Sequence, residues 1–257
     1  MRTHPLIVAA FCAFAGLACA RDGSFTGYAR SLDGRDLLYV ESHAVSGGGG
    51  ADETRVVLYR CSAGSAPFAR KELDYARDRI APAFAFEDAR SGFAEGLKRD
   101  ARGLEVFERA GANAKLRRET LSHAGALVAD AGFDEFVRTR WDALERGASA
   151  EVPFLVPSRL DSVNFKVRKV SEATIEGEAA NVFRLSVAGP LGWLLSDIDV
   201  SYRKRDRQLM RYRGITNIRD ASGEMLQAQI DFPSADRSDA AVDLAALRAM
   251  PLTTRCQ

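Results

Sequence analysis

Along most of this chain apolar and polar residues alternate in short runs bounded by turn residues, the period-two pattern of strands with one buried face. Residues 24–31, 36–45 and 54–61 read as three successive strands. In the third, Val57, Tyr59 and Cys61 share one face while Val56 and Leu58 share the other. "PFARKELDY" and "AFAFEDA" give two more, separated at Pro82. Residues 93–121 divide into three strands joined by polar turns. Further on, Val163, Phe165 and Val167 alternate with Asn164, Lys166 and Arg168, and residues 181–189 form a strand ending at Gly189-Pro190. The glycine tract at 46–53 is flanked closely by strand patterns and reads as a hairpin loop, not a domain boundary.

One segment changes period. Phe133, Phe136, Val137, Trp141 and Leu144 fall at i, i+3, i+4, i+8 and i+11, a single apolar stripe that predicts an amphipathic helix over about residues 131–146. Asp130 is placed to cap its start and Gly147 to close its end. Asp134–Arg138 and Asp142–Arg146 are spaced as i,i+4 pairs on its wet side. A shorter helix is expected within 238–250, starting at Ser238. The expected fold class is therefore mainly β (α+β). It is a single curved antiparallel sheet or open half-barrel, with one amphipathic lid helix and a short C-terminal helix, in one domain over residues 21–257.

The arginine-rich stretch "YRKRDRQLMRYRGITNIRDASGEMLQAQIDF" (202–232) raises the question of nucleic acid. Read with period two, it sorts into a strand at Val200 and Tyr202, a turn, a strand and another turn. In that second strand Met210, Tyr212, Gly214 and Thr216 oppose Arg211, Arg213 and Ile215. Leu226, Ala228, Ile230 and Phe232 then supply the apolar face of a third strand. The arginines occupy turns and the solvent face, as in a sheet with one wet side. Charge agrees. The full chain carries 36 basic and 35 acidic residues, and without residues 1–20 the numbers are equal at 35. A nucleic-acid binder needs a basic excess, so no nucleic acid is expected, and at most a peripheral membrane contact.

Residues 1–20 read as an export signal. Arg2 precedes an apolar run from Leu6 to Leu17, and Ala18 and Ala20 stand where signal peptidase prefers small residues, predicting cleavage between Ala20 and Arg21. The run is too short to span a bilayer as a helix. The expected location is periplasmic; the alternative is an outer-membrane lipoprotein anchored at Cys19, with Gly16 where such signals favour a large aliphatic residue. Beyond residue 20 the cysteines are Cys61 and Cys256, which an oxidising compartment would join.

Candidate chemistry is sparse. His43 and His123 lack ligand-spaced partners, so no metal is expected. "CSAGS" (61–65) is not a nucleophile elbow, and "SGGGG" lacks the Gly-Lys-Ser/Thr of a phosphate loop. Adjacent acidic pairs such as Glu87-Asp88 and Asp134-Glu135 point apart on a strand or helix. No cofactor is called for and no catalytic residue stands out. An exported hydrolase would require distant acidic or serine residues to converge. The functional candidates are apolar: Trp193, Leu194 and Leu195 in the connection "PLGWLLSD", and Phe133, Phe136 and Trp141 on the helix stripe. An apolar loop must pack on the body, line a cavity mouth, or meet a partner.

The run from Tyr202 through "LMRY", Gly214, "TNIRD" and Gly223 to "AQIDF" resembles the last hairpins of bacterial LolA-type (lipoprotein carrier-like) half-barrels, in detail over residues 160–232. That resemblance implies an open antiparallel sheet curled round an apolar cavity with a helical lid, handling lipids or lipoproteins in the cell envelope. The chain departs from it by lacking an early amphipathic helix and by its Cys61/Cys256 pair. Together these readings predict a non-catalytic exported protein that binds a lipid, acyl chain or lipoprotein partner in an apolar cavity. The alternative is a structural or interaction protein of the envelope whose sheet is filled by its own side chains.

Overall fold

The structure, a computed structural model, describes residues 21–100, 103–121, 127–189 and 197–256. From β1 (Arg21–Arg30) the chain meanders outward through β2 (Leu37–Gly48), β3 (Thr54–Arg60), β4 (Pro67–Asp74), β5 (Ala83–Asp88), β6 (Phe93–Asp100), β7 (Gly103–Arg109) and β8 (Arg117–Leu121). A helical segment, α1 (Gly132–Thr139) and α2 (Trp141–Glu145), follows. The chain then returns through β9 (Ser149–Val156), β10 (Asp161–Ile175), β11 (Glu178–Val187), β12 (Ile198–Arg203), β13 (Leu209–Arg219) and β14 (Met225–Asp231). Successive strands pair antiparallel, as short connections require.

The two meanders join where β14 pairs with β1, through Tyr28↔Asp231, Ala29↔Ile230 and Arg30↔Gln229. The order is β8-β7-β6-β5-β4-β3-β2-β1-β14-β13-β12-β11-β10-β9, so the first strand lies mid-sheet and β8 and β9 are its edges. A short β15 (Arg237–Ser238) also pairs with β1, which makes fifteen strands in a single sheet that, among the described residues, does not close. Its edges nonetheless approach: Arg117 of β8 donates to the Ser158 carbonyl just past β9, at 2.7 Å. Between them Val128 forms a parallel bridge with Phe154, donating to Pro153 O at 2.9 Å and accepting from Leu155 N–H at 2.8 Å.

Period two holds where it was clearest. Val57 and Tyr59 enter the main core, while Val56 and Leu58 lie on the opposite face under α3 (Leu244–Ala249). The C-terminal helix α3 is shorter than the expected 238–250, and its N-cap is Asp243, not Ser238; the Asp243 side chain accepts from the Ala246 N–H at 3.0 Å. β9 escaped the sequence pattern because Pro153 interrupts it; an edge strand tolerates proline, since its missing N–H need not cost a ladder bond to β10.

The long helix is corrected in three respects. Its stripe is continuous, but the helix breaks at Arg140 (φ −109°, ψ 8°) into α1 and α2. Asp130 is not a cap: it precedes the N-cap Ala131, sits at φ 46°, and turns its carboxylate toward the sheet. The i,i+4 pairs give way to tertiary ones, Asp134 accepting from the Tyr202 hydroxyl at 2.6 Å and Asp142 pairing with Arg207 at 3.1 Å. The helix enters close to the β4–β5 connection, where a Cβ on Gly132 would stand 2.0 Å from the Ile80 carbonyl oxygen. Only glycine fits there.

The arginine-rich hairpin carries a further irregularity. The β12–β13 register shifts between Ser201 and Tyr202. Leu209 and Tyr212 therefore both pack toward the helix side, whereas Met210 joins Ile175 and Ala180 on the other face. Strict alternation had put Met210 with Tyr212; a bulge reverses the facing of every residue on one side of it.

Candidate functional site

Strand periodicity places charged residues on the same face as the aromatic core. Tyr39, Glu41 and His43 share a face of β2, as do Ala69, Lys71 and Leu73 of β4 and Phe93, Glu95 and Leu97 of β6. Glu41, Lys71 and Glu95 are all buried. A buried charge must find a partner or neutralise, and these do so around the lysine. Lys71 Nζ donates to Asp130 Oδ2 at 2.6 Å and to Asn217 Oδ1 at 3.2 Å. The Asn217 amide in turn donates to Glu95 Oε1. Asn217 reaches this side because the β13–β14 register shifts between Ile215 and Arg219, so Asn217 and Ile218 both address the core. Beside the cluster, His43 Nε2 lies 2.9 Å from Glu41 Oε2 while its ring stacks on Phe25 at 4.3 Å.

Position decides protonation here. Burial opposes the Lys71 charge, but Asp130, with help from Glu95 and Glu41, outweighs it and holds the pKa above the ordinary lysine value. Lys71 is therefore an ammonium ion at neutral pH, a clamp and not a nucleophile. Glu95 goes the other way: burial pushes it up from 4.5 to about 7, with Asn217 and Lys71 pulling back only in part.

This has a measurable consequence. A carboxylate raised in the folded state keeps its proton between pH 4.5 and about 7 while the unfolded chain has released it. Stability therefore falls as pH rises through that window, by about 3 kcal/mol in all. The slope should shrink in Glu95→Gln, which keeps the acceptor for Asn217. Denaturant titrations at several pH values between 5 and 8 check it; an unchanged slope in the variant would place the titration elsewhere.

A second cluster also reaches the helix. Glu53, 1% exposed, binds Arg55 Nε at 2.6 Å, Arg79 at 2.7 Å and the Gly49 N–H at 2.8 Å, and Arg79 extends to Glu135 of α1 at 3.6 Å. Lys71–Asp130 thus ties the turn before α1 to β4, and Arg79–Glu135 ties α1 to the β4–β5 connection.

Of the apolar candidates, Phe133, Phe136 and Trp141 are brought together, buried against Val152, Phe183, Leu185, Val200 and Tyr202. Trp141 meets the Phe183 ring at 5.2 Å and that of Tyr202 at 6.4 Å, both edge-on. Trp193, Leu194 and Leu195 lie outside the described residues, as do Ala20 and Cys19; Arg21 opens β1 opposite Gly48. Cys61 and Cys256 are bonded, with Cα atoms 5.6 Å apart. A cleft of about 200 Å³ opens on the sheet near the β10–β11 turn, lined by Ile175, Glu176, Met210, Arg211, Asp231 and Pro233 among others. Among the described residues no group of three or more His, Cys, Asp or Glu side chains is placed to hold a metal.

The charged cluster is not legible in the sequence, because its members are far apart in the chain. Its trace was present: "FAEGL" sets Glu95 between Phe93 and Leu97 on a face that is otherwise apolar.

No family model matches the chain, and no curated protein matches it. Among solved structures it is similar to a β-barrel-like protein of the domain of unknown function DUF1849 from Brucella abortus. That match has 8% identity and a TM-score of 0.47, over 84% of this chain and 99% of that one. A DUF1329 family protein from Desulfovibrio piger is similar at 10% identity and a TM-score of 0.27, over 84% of this chain and 85% of that one.

Proposed function

We propose that this chain is an exported, non-catalytic protein of the cell envelope that acts by meeting another envelope protein, with the core face of its sheet filled by its own side chains. One observation carries the choice over a lipid carrier. The face that would line an acyl-chain cavity is occupied by buried Tyr39, Tyr59, Phe86 and Leu97 on one half and by the α1–α2 aromatics on the other. Beside Phe86, on that same face, the buried Lys71–Asp130 pair ties β4 to the turn before α1 where a carrier would keep apolar space. An acyl chain entering there would have to displace a paired charge, which costs far more than a methylene gains.

The resemblance of residues 160–232 to LolA-type half-barrels supports an envelope setting in this reading. The contact surface it favours is the β8 edge, where Arg117 to Thr120 are exposed and pairing among the described residues is with β7 alone. A free edge accepts an extended segment of a partner through main-chain hydrogen bonds.

The test is a titration of the purified protein with a fluorescent fatty acid, together with native mass spectrometry of protein recovered from the envelope. No saturable binding and no co-purifying amphiphile are expected. Stoichiometric binding of one amphiphile would restore the carrier reading.

A further inference from the structure

Beyond Ser238 the chain runs back across the sheet as a strap. Leu244 of α3, with Val242 and Leu247, covers Ala44, Val56 and Leu58 on the face opposite the main core. The polar contacts along it lie at the surface. Arg248 pairs with Glu72 at 2.9 Å, both side chains 40% exposed; Arg70 donates to the Arg248 and Met250 carbonyls; and the Thr253 N–H donates to Pro67 O at 2.8 Å. The strap ends at Cys256, which is exposed and joined to half-buried Cys61 across 195 residues of sequence.

Its attachment is local and weak without that bond. α3 has six residues, too few to hold a helix alone. The patch beneath it is small and separate from the two large cores, neither of which contains a buried residue beyond Phe232. The disulfide supplies what the contacts lack, by holding the strap at high effective concentration over its patch. Elements with few buried contacts open at lower free energy than the fold as a whole.

We propose that Cys61–Cys256 is a thiol–disulfide exchange site for a dithiol reductant, and that exchange frees residues 239–256 from the sheet and uncovers Ala44, Val56 and Leu58 while the body stays folded. A thiolate of the dithiol attacks Sγ of Cys256, the more exposed residue of the pair. The S–S bond breaks, its electron pair passes to Cys61 Sγ, and that thiolate takes a proton from water. The second thiol of the reductant, deprotonated, then attacks the mixed disulfide and expels the Cys256 thiolate. The protein disulfide gains two electrons and the dithiol becomes its own disulfide. Cys61 packs against the main core, which directs the attack to Cys256.

Limited trypsin digestion and hydrogen exchange of the purified protein, before and after dithiothreitol, test this. Reduction should raise cleavage after Arg248 at least tenfold and deprotect residues 240–256, with β1–β14 amides still protected. Cys256→Ser should behave as the reduced protein without any reductant. Brief exposure to glutathione should place the mixed disulfide on Cys256. Unchanged cleavage at Arg248, a glutathione adduct shared equally with Cys61, or loss of protection across the whole sheet would each overturn the proposal. The last outcome would show that the bond holds the fold and not a strap.

Discussion

Trp141→Ala is expected to destabilise the protein by about 3–5 kcal/mol, the usual cost of emptying a buried aromatic site. Trp141 is 3% exposed and its indole is enclosed by Phe183 and Tyr202, with the Arg207 guanidinium 5.4 Å from the ring centroid. Neighbouring strands are fixed by their ladders and cannot collapse into the void, so most of the cavity persists. For a chain of this length each kcal/mol moves the melting midpoint by roughly 2–4 °C, so a drop on the order of 10 °C should appear in calorimetry. A change within a degree or two would mean the ring contributes little packing, and would return the α1–α2 stripe to the role of a cavity wall.

Lys71→Met should cost a comparable amount, about 3–5 kcal/mol, by a different mechanism. Methionine fills nearly the same volume, so little packing is lost beside Phe86. What remains is the Asp130 carboxylate, 9% exposed and without its 2.6 Å partner. The diagnostic is the double variant. Lys71→Met with Asp130→Asn removes both charges and should be markedly more stable than the sum of the two single changes predicts. Urea denaturation of the four proteins measures this, and strict additivity would show that the pair is not coupled. Asparagine is a fair replacement at φ 46°, since it tolerates the left-handed region.

Much of the candidate site was hidden from the sequence for a reason these two residues illustrate. The tryptophan announced itself through local spacing, because Phe133, Phe136, Val137, Trp141 and Leu144 trace one helical stripe and all five are buried. The lysine did not. Its partners lie 59 and 146 residues away, Asp130 in a turn and Asn217 at a register shift. A lone charge on an apolar strand face marks a place where something must answer it, but nothing nearby says what. Asp before a helical stripe usually caps the helix, which is what local sequence predicts for Asp130. A buried ammonium ion offers a carboxylate a stronger interaction than backbone N–H groups at the helix start, and tertiary context prevailed.

The sequence alone determined the elements whose physics is local. Period two along the chain laid out the strands and assigned faces, as Val57/Tyr59 against Val56/Leu58 show. Short connections dictated antiparallel meanders, and two cysteines beyond residue 20 left a single bridge to form. The tertiary structure decided everything that depends on distant partners. It joined β14 to β1, leaving β8 and β9 as edges; it used Pro153 in an edge strand; and it set bulges at Met210 and Asn217 that alternation cannot foresee. It also brought Asp130 to Lys71, pairing a charge that alternation puts on the core face but cannot provide with a partner. Side-chain period is a property of neighbouring residues, whereas strand pairing, bulge position and charge burial are set by free energies shared between residues far apart in the chain.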